Sequence, residues 1–209
     1  MSLPNPLNHP ILEQSFAVID QEIGEHSFTP AEYAIVRRVI HSTADFEFKE
    51  LIRFSPGAIE GAIAALRQTT PIVTDVTMVK QGITTLVSKT FQNPIISAVE
   101  QATQAAPGQT RTETGMLRCW ADFPQAIYAI GNAPTALLAL CHQIQVQNPQ
   151  TDPHPTLIIG APVGFISVLE SKATLAQTPI PQILVEGRKG GSAVAAAILN
   201  ALLILATEP

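Results

Sequence analysis

The apolar positions near the N-terminus recur every three or four residues, at Ile11, Leu12, Phe16, Ile19 and Ile23. This spacing is the period of an amphipathic helix, so a first helix is predicted there. Three prolines within the first ten residues predict an irregular arm over residues 1–10 in front of it.

A second helix has a strong start signal in Thr29, Pro30 and Glu32. The threonine can cap the helix, the proline suits its first position, and the glutamate completes a capping box. The apolar face that follows carries this helix to about His41. A third helix is predicted to open at residues 55–57, with an inward face of Ile59, Ile63 and Leu66.

The middle of the chain has shorter and less regular apolar runs. Ile72–Thr74 predicts a strand, and residues 84–87 predict a second, weaker one. Helices are predicted over residues 94–105 and 113–120, with a turn-rich segment between them.

The last third repeats one pattern three times: an apolar strand, a glycine-bearing loop and a helix. The strands are predicted at residues 126–130, 157–159 and 183–185, and the helices at 134–147, 167–176 and 192–205. Residues 148–155 are predicted to form a loop. Strands that alternate with helices predict a mostly parallel sheet with helices on both faces. With about five strands, we expect a single flavodoxin-like, doubly wound α/β domain over residues 1–209.

The three glycine loops predict a ligand crevice at the carboxyl ends of the strands. Small residues there let a ligand approach the backbone, and helix N-termini offer free N–H groups to anions. The segment 187–192 lacks the spacer and the Gly-Lys-Ser/Thr ending of a phosphate loop. No Gly-x-Gly-x-x-Gly follows a strand with an acidic residue about twenty positions later. A nucleotide-binding regulator is therefore disfavoured.

Composition narrows the class of protein. The chain has 209 residues, of which 46% are hydrophobic and 14% charged, which indicates a heavily buried or oligomeric fold rather than disorder. Its net charge of -5 argues against a generic nucleic-acid binder. No basic segment precedes an apolar stretch at the N-terminus, and the longest apolar run, 193–206, is too short for a bilayer. We expect a soluble, cytoplasmic protein that binds no membrane.

The cysteines and histidines give little support to metal or redox chemistry. Cys119 and Cys141 fit no metal-ligand spacing and do not make a disulfide scaffold, so two buried free thiols are expected. No pair of histidines or cysteines has ligand spacing on one element. The Asp-x-His-x-x-Gly run of proteins that use cobalamin is also missing. Neither a metal nor a cofactor is predicted.

His41 is the strongest candidate for chemistry. It falls in the last turn of the second helix, where the helix dipole and a carboxylate such as Asp45 would favour the imidazolium. A histidine held protonated near neutral pH is a usable general acid. The alternative is a C-terminal capping histidine with no chemical role. The other histidines have weaker positions in or beside loops or on helix flanks: His9, His26, His142 and His154.

Three cations are candidate anion contacts. Arg111 precedes a predicted helix and could grip a carboxylate with its planar guanidinium, although a solvated surface arginine is the alternative. Arg188 and Lys189 lie between glycines at a helix start, which makes anion contact more plausible. Ser15 lies on the first helix and is either a ligand contact or a polar surface position.

The chain resembles the precorrin-8X methylmutase family from residue 11 to residue 203. Shorter family-like segments lie at residues 14–16, 39–41, 54–56, 72–75, 78–84 and 110–111. The most specific segments are Ala129-Ile130-Gly131-Asn132-Ala133-Pro134-Thr135-Ala136-Leu137, Pro162-Val163-Gly164-Phe165 with Glu170-Ser171-Lys172, and Gly187-Arg188 with Gly190-Gly191-Ser192-Ala193. So many segments in one order make an accidental match improbable.

The resemblance implies a flavodoxin-like fold, a homodimer whose substrate cleft uses both subunits, and an isomerisation. In that reaction a methyl group migrates within ring C of a corrin precursor, from the α-carbon to the neighbouring β-carbon. The product is hydrogenobyrinate, or cobyrinate on the cobalt-bearing route. The family's proton-donating histidine corresponds to His41, and its substrate-contacting serine and arginine correspond to Ser15 and Arg111.

The resemblance also implies further substrate contacts and leaves two questions open. Aliphatic walls are expected from Met78 and Val79, local positive potential from Arg188 and Lys189, and further contacts from Thr84, Gly131, Asn132 and Thr135. Such a rearrangement needs a proton donor and orientation but no cofactor. A non-catalytic corrin carrier, with hand-over to other enzymes of the pathway, is the alternative function. The metal content of the substrate is also left open.

Overall fold

The computed structural model of the chain describes residues 10–148 and 152–208. The predicted N-terminal arm and His9 lie outside this part, apart from Pro10, which is the first residue of helix α1. The predicted loop at residues 148–155 lies partly outside it. No helix within the described ranges is both long and apolar enough to cross a membrane.

The described residues form one six-stranded sheet. Its strands are β1 (Ile52–Phe54), β2 (Ile72–Thr74), β3 (Ile95–Ser97), β4 (Ile127–Ile130), β5 (Leu157–Gly160) and β6 (Gln182–Val185). The spatial order is β1-β6-β5-β4-β2-β3, and only β1 is antiparallel to its neighbour. The five parallel strands, numbered among themselves, therefore have the order 2-1-3-4-5 of flavodoxin-like sheets.

Nine α-helices accompany these strands in the described part of the chain. They are α1 (Pro10–Glu22), α2 (Pro30–Thr43), α3 (Phe48–Leu51), α4 (Ala58–Arg67), α5 (Thr77–Lys89), α6 (Arg111–Asp122), α7 (Pro134–Val146), α8 (Val168–Ala176) and α9 (Ser192–Thr207). A 3₁₀ turn at Ala98–Glu100 follows β3. The capping box predicted for the second helix is present, with the Thr29 side chain accepting a hydrogen bond from the Glu32 N–H.

The sheet separates two apolar cores, as a doubly wound fold requires. On β4, Ile127 and Ala129 belong to one core, whereas Tyr128 and Ile130 belong to the other. This alternation follows from the two-residue period of side chains along a strand. Helices α2, α4 and α5 pack around α9 on the first side, and α6, α7 and α8 pack together on the second. The predicted fold class is confirmed, with six strands rather than about five.

Helix α9 occupies the centre of the first core. Its apolar residues surround the helix on all sides, which is typical of a buried helix rather than a surface one. Alanines at 195, 196 and 197 are buried and allow neighbouring helices to come close. The position of α9 matters for the site because its N-terminus begins at the rim of the sheet, directly after the loop that follows β6.

Two predicted elements are wrong. Residues 84–87 belong to α5 rather than to a strand, because Val79, Ile83 and Val87 are buried with a helical spacing of four. Residues 94–105 are not a helix: β3 and the 3₁₀ turn occupy their first half. The two cysteines, in contrast, are buried and free as predicted. Burial raises the pKa of Cys119 to about 11 and that of Cys141 to about 12.

Helix α3 and strand β1 were not predicted. Both are short, and β1 forms only because its three residues pair with β6, with Ile52 opposite Val185. This pairing joins segments that are far apart in the sequence, so the local pattern around β1 carries little signal of it.

Gly115 provides a test of how α6 packs. A Cβ atom at this position would lie 1.8 Å from the carbonyl oxygen of Ala98, so the helix needs glycine to approach the 3₁₀ turn. We expect Gly115→Ala to lower the free energy of unfolding by about 3 kcal/mol or more, since the clash is with backbone. Gly61→Ala on α4 is the control, because nothing lies within 4 Å of its Cβ position. It should stabilise by roughly 0.5–1 kcal/mol. Urea denaturation measures both, and equal stability of the two variants would contradict the packing described.

Candidate active site

The loops at the carboxyl ends of the strands are organised by Asp75, which follows β2. Its side chain is fully buried at the point where the chain order of the strands reverses, between β2 and β4. One carboxylate oxygen accepts hydrogen bonds from the N–H groups of Val76 (2.9 Å) and Gly131 (3.1 Å). The other accepts from Asn132 and Ala133, both at 2.7 Å. A side chain of the protein thus occupies the N–H groups that a ligand anion would otherwise meet at this point.

Burial and hydrogen bonding act in opposite directions on Asp75. Burial raises the pKa of its carboxyl group, and the four N–H donors lower it by stabilising the carboxylate. Gly131 lies at the most crowded part of this loop, where a Cβ atom would come within 2.8 Å of the Ser192 Cα. The loop after β4 is therefore fixed tightly against the N-terminus of α9.

A second buried charge fixes the loop after β6. The ammonium group of Lys172, on α8, donates hydrogen bonds to the carbonyl oxygens of Gly187 (2.8 Å) and Lys189 (2.7 Å). Burial lowers the pKa of Lys172 to about 8. The Lys189 ammonium in turn pairs with Asp45 and Glu47, at 2.6 Å each. The rim of the sheet is thereby tied to the segment that directly follows α2.

Next to this connection, a cleft of about 380 Å³ opens between α1, α2, α5 and α9. Its polar lining comes from Arg38, His41, Ser42 and Asn200. Its remaining lining is small or apolar and consists of Leu12, Gly82, Ala193, Ala196 and Ala197. The small residues let α5 and α9 pack closely, since a Cβ atom at Gly82 would lie 2.8 Å from the Ala196 Cβ.

The imidazole of His41 lines this cleft. The edge of its imidazole packs against Phe16, with ring centroids 5.7 Å apart. Phe16 also contacts the Arg37 guanidinium, which lies 4.3 Å from the centroid of the Phe16 ring. Arg37 in turn forms an ion pair with Asp20, with a nitrogen–oxygen distance of 3.0 Å. The imidazole makes no hydrogen bond with any residue in the described part of the chain, so both nitrogens are open to a ligand.

Two features of the fold oppose the expectation that His41 is held protonated. Burial, followed by the positive charge of Arg38, lowers the pKa of His41. Asp45, which was expected to favour the imidazolium, instead bonds to Lys189. The structure gives no support to the capping alternative either. The carbonyl oxygens at the end of α2 accept hydrogen bonds from other groups: the hydroxyls of Ser42 and Thr43 and the N–H of Ala44.

Of the sequence-predicted site residues, His41 is among the residues that line the cleft and the others are not. Ser15 lies on α1, and its hydroxyl donates to the Ile11 carbonyl at 3.0 Å. Thr84 lies on α5 and donates to the Lys80 carbonyl at 2.8 Å. Met78 is 71% exposed at the start of α5, whereas the neighbouring Val79 is fully buried and packs behind Gly131.

The remaining predicted residues lie along the rim. Arg111 is exposed and is the first residue of α6, two residues before the predicted helix start. The hydroxyls of Thr110 and Thr135 are 3.0 Å apart, which joins the starts of α6 and α7. Asn132 and Arg188 are exposed on the loops after β4 and β6. Lys189 lies on the same loop as Arg188, but its ammonium is engaged by two carboxylates.

The sequence reasoning missed four polar residues of this region: Arg38, Asp75, Lys172 and Asn200. Arg38 could have been selected from the sequence, because a residue three positions before His41 lies on the same face of the helix. Asn200 is a lone polar residue within an apolar helix. Its amide nitrogen donates to the Gly82 carbonyl at 2.9 Å, and its buried amide oxygen has no hydrogen-bond partner. Residues 10–148 and 152–208 contain no group of three or more side chains that could hold a metal ion.

Comparison with known proteins places this geometry in a family. The family model described as precorrin-8X methylmutase matches residues 10–205. The chain belongs to the precorrin-8X methylmutase family. This membership makes it an isomerase of cobalamin biosynthesis that moves a methyl group.

Relatives of the precorrin-8X methylmutase family cover almost the whole chain. Cobalt-precorrin-8 methylmutase of Synechocystis sp. is 57% identical, over 96% of this chain and 97% of that protein. Precorrin-8X methylmutase of Sinorhizobium sp. is 35% identical, over 92% of each. The solved structure of precorrin-8x methyl mutase from Thermus thermophilus superposes with a TM-score of 0.84 at 41% identity, covering 95% of this chain and 98% of that one.

Asp75→Asn tests whether the carboxylate holds the loop after β4. In this variant an NH₂ group, which cannot accept a hydrogen bond, replaces one carboxylate oxygen. At least one buried N–H donor would therefore lose its charged acceptor, at a cost of about 1–3 kcal/mol. We expect the free energy of unfolding to fall by about 3 kcal/mol, and amide hydrogen exchange at residues 131–133 to become faster. Glu60→Gln makes the same chemical change on an exposed carboxylate of α4 and is the control. If both variants gave the same unfolding curve and exchange rates, Asp75 would not be the anchor.

Proposed function

We propose that His41 is the proton donor of the methyl shift and that the corrin precursor binds in the cleft beside it. The observation that carries this proposal is the imidazole itself, which stands on the cleft wall with no hydrogen bond to any described residue. Arg38 and Asn200 supply further polar side chains to the lining of the same cleft. Polar groups left open toward a cleft are typical of a site that orients a ligand.

The proton balance of the reaction defines the role of His41. The methyl shift is an isomerisation, so substrate and product have the same atoms, and a proton taken up by the macrocycle must be lost again in each turnover. In the proposed cycle, the His41 imidazolium donates a proton to the macrocycle, the methyl group migrates, and neutral His41 takes the proton back. A group whose pKa lies close to the working pH serves both steps.

The rim residues are proposed to hold the periphery of the substrate. Arg111 and Arg188 are exposed and can meet peripheral carboxylates, and Ser15, Thr84, Asn132 and Thr135 offer polar contacts. Met78 supplies an exposed apolar contact, while Val79 and Gly131 shape the wall from behind. Lys189 acts through the loop that it fixes, because its charge is already balanced by Asp45 and Glu47.

A homodimer is part of the proposal. A corrin with its acidic side chains is larger than the 380 Å³ cleft of one chain, so the substrate must extend beyond it. The loop after β5 and the first turn of α8 expose apolar side chains, with Phe165 at 85%, Ile166 at 83% and Leu169 at 50% exposure. Contiguous exposed apolar surface of this kind is typical of a protein contact. We assign this patch to contact with a second copy of the chain.

We also propose a cellular location, a hand-over step and a metal content for the substrate. A cytoplasmic location and hand-over of product to another enzyme of the pathway are consistent with the enzyme class. A cobalt-bearing substrate is favoured by the 57% identity to a relative named cobalt-precorrin-8 methylmutase. The alternative of a non-catalytic corrin carrier gains nothing from the reported relatives, which are named as methylmutases.

His41→Asn tests the proposed proton donor. An asparagine keeps a polar side chain in the cleft but cannot exchange a proton near neutral pH, so we expect turnover to fall by at least about 100-fold, the lower end for lost general acid catalysis. Equilibrium binding of the corrin product should change by less than about 3-fold. Turnover is followed by the change in absorption as the corrin chromophore forms, with both metal-free and cobalt-loaded substrate.

His142→Asn is the matched control, because His142 is exposed on α7, on the other side of the sheet. It should turn over like the wild type. Near-normal turnover of His41→Asn would remove His41 from the mechanism. Absence of turnover in the wild type with both substrates would favour the carrier instead.

Sedimentation velocity tests the dimer. We expect a species of twice the 22.3 kDa chain mass for the wild type and a weaker dimer for Phe165→Ser, because a largely exposed aromatic side chain would lose its partner. Val146→Ser removes an exposed apolar side chain from α7 and should leave the dimer unchanged. A monomeric wild type at micromolar concentration would overturn the dimer proposal.

A further inference from the structure

His41 lies in the last turn of α2, and no hydrogen bond from a residue within 10–148 or 152–208 fixes its imidazole. A side chain held by no hydrogen bond can turn about its two side-chain bonds. Transfer of a proton, in contrast, requires the donor at a set distance and direction from the acceptor. The orientation of the imidazole must therefore come from packing.

Phe16, on α1, provides this packing. Its ring meets the imidazole nearly at right angles, with an interplanar angle of 80° and 5.7 Å between the ring centroids. A T-shaped arrangement at this distance is one of the favoured geometries of aromatic pairs. Phe16 itself is only 5% exposed and belongs to the core around α9, so its ring offers a fixed surface to the imidazole.

The place of the Phe16 ring is in turn fixed by Arg37. The guanidinium lies 4.3 Å from the ring centroid, and the face of an aromatic ring attracts a cation. Nη1 of Arg37 also donates hydrogen bonds to both carboxylate oxygens of Asp20, at 3.2 and 3.0 Å. The Tyr33 hydroxyl donates to the same carboxylate. Asp20 is on α1 and both donors are on α2, so these contacts join the two helices around Phe16.

Phe16 and Arg37 are not among the residues that line the cleft of His41. Their influence on a ligand in this cleft is therefore indirect and passes through the imidazole.

We propose that Phe16 is the positioning residue of His41: its ring, held by the Arg37 guanidinium, sets the orientation of the imidazole in the cleft. This inference rests on the proposed function, in which His41 is the proton donor. It assigns a role in the reaction to a contact between α1 and α2 that touches no substrate itself. A positioning role affects the rate of the methyl shift rather than the binding of the corrin, because a small displacement of a reacting group slows the reaction.

Two variants with matched controls test the proposal. Phe16→Leu removes the ring and keeps an apolar side chain in the core. Phe48→Leu makes the same change on α3, where Phe48 is 3% exposed in the same core but is not the ring partner of His41. Arg37→Met removes the cation from the Phe16 ring and keeps the apolar stem. Arg118→Met is its control, because Arg118 lies on α6 and donates to the Gln101 carbonyl, away from this cleft.

The rate is measured in a single turnover, followed by corrin absorption, so that product release does not contribute. We expect Phe16→Leu to be about 10-fold slower, the upper range for a lost aromatic pair. Arg37→Met should be about 3-fold slower, in the range of a lost cation–π contact. Both should bind hydrogenobyrinate within about 2-fold of the wild type, since the residues that line the cleft are unchanged. Phe48→Leu and Arg118→Met should react at the wild-type rate.

A double-mutant cycle shows whether Phe16 acts through His41. When Phe16→Leu is combined with His41→Asn, the double variant should react no more slowly than His41→Asn alone, because the side chain to be positioned is already gone. Urea denaturation of Phe16→Leu and Phe48→Leu should give similar losses of stability. A difference in rate between these two variants then has its origin in the contact with His41.

NMR reads the orientation of the ring without any turnover. In the wild type, nuclear Overhauser effects should connect the His41 ring proton, assigned with His41→Asn, to the ring protons of Phe16. In Arg37→Met, which keeps the Phe16 ring in the core, these effects should be weaker. The two spectra test the proposal even where Phe16→Leu is poorly folded.

Three results would overturn the inference. They are an equal loss of rate in Phe16→Leu and Phe48→Leu, a further loss when Phe16→Leu is added to His41→Asn, and a wild-type spectrum without contact between the two rings. Failure of the proposed function gives a different pattern. His41→Asn would then react at nearly the wild-type rate, or the wild type would not react at all, while the spectra would still show whether Phe16 fixes the imidazole.

Discussion

The site depends on one buried carboxylate. Asp75 sits where the strand order reverses, and it accepts four backbone N–H groups that point to this position. In open α/β sheets the reversal point is the usual place for a ligand, often a phosphate. Here the chain supplies its own anion, which closes the point to nucleotides. The available space lies instead to one side, between α9 and the helices that pack against it.

Two lysines connect the loop after β6 to the segment that follows the helix of His41. Lys172 holds the loop after β6 from inside, and Lys189 on that loop reaches the segment behind α2. The helix that carries His41 is therefore fixed to the same rim as the loops after β4 and β6. A rearrangement without a nucleophile or a redox step depends on orientation, so a rigid link between the proposed proton donor and the proposed substrate contacts would serve the reaction directly.

The sequence predicts those features that neighbouring residues determine. The three strand–loop–helix units and the capping box at Thr29 depend on short-range patterns, and the structure confirms them. Strand β1 was missed because it forms through pairing with β6, more than a hundred residues away. The expected contact between Asp45 and His41 fails for the same reason: Asp45 is the neighbour of His41 in sequence, but Lys189 takes that carboxylate in the fold. Motif resemblance selects His41 as a candidate, whereas its surroundings in the fold depend on tertiary contacts.

A pKa of His41 below its ordinary value is compatible with the proposed role as proton donor, because a group that gives up a proton and takes it back works best with a pKa near the working pH. A permanently charged imidazolium beside Arg38 would place two cations in one cleft. Its partial burial would cost further free energy. In the fold, the charge of the arginine three positions away opposes the effect of the helix dipole on this histidine.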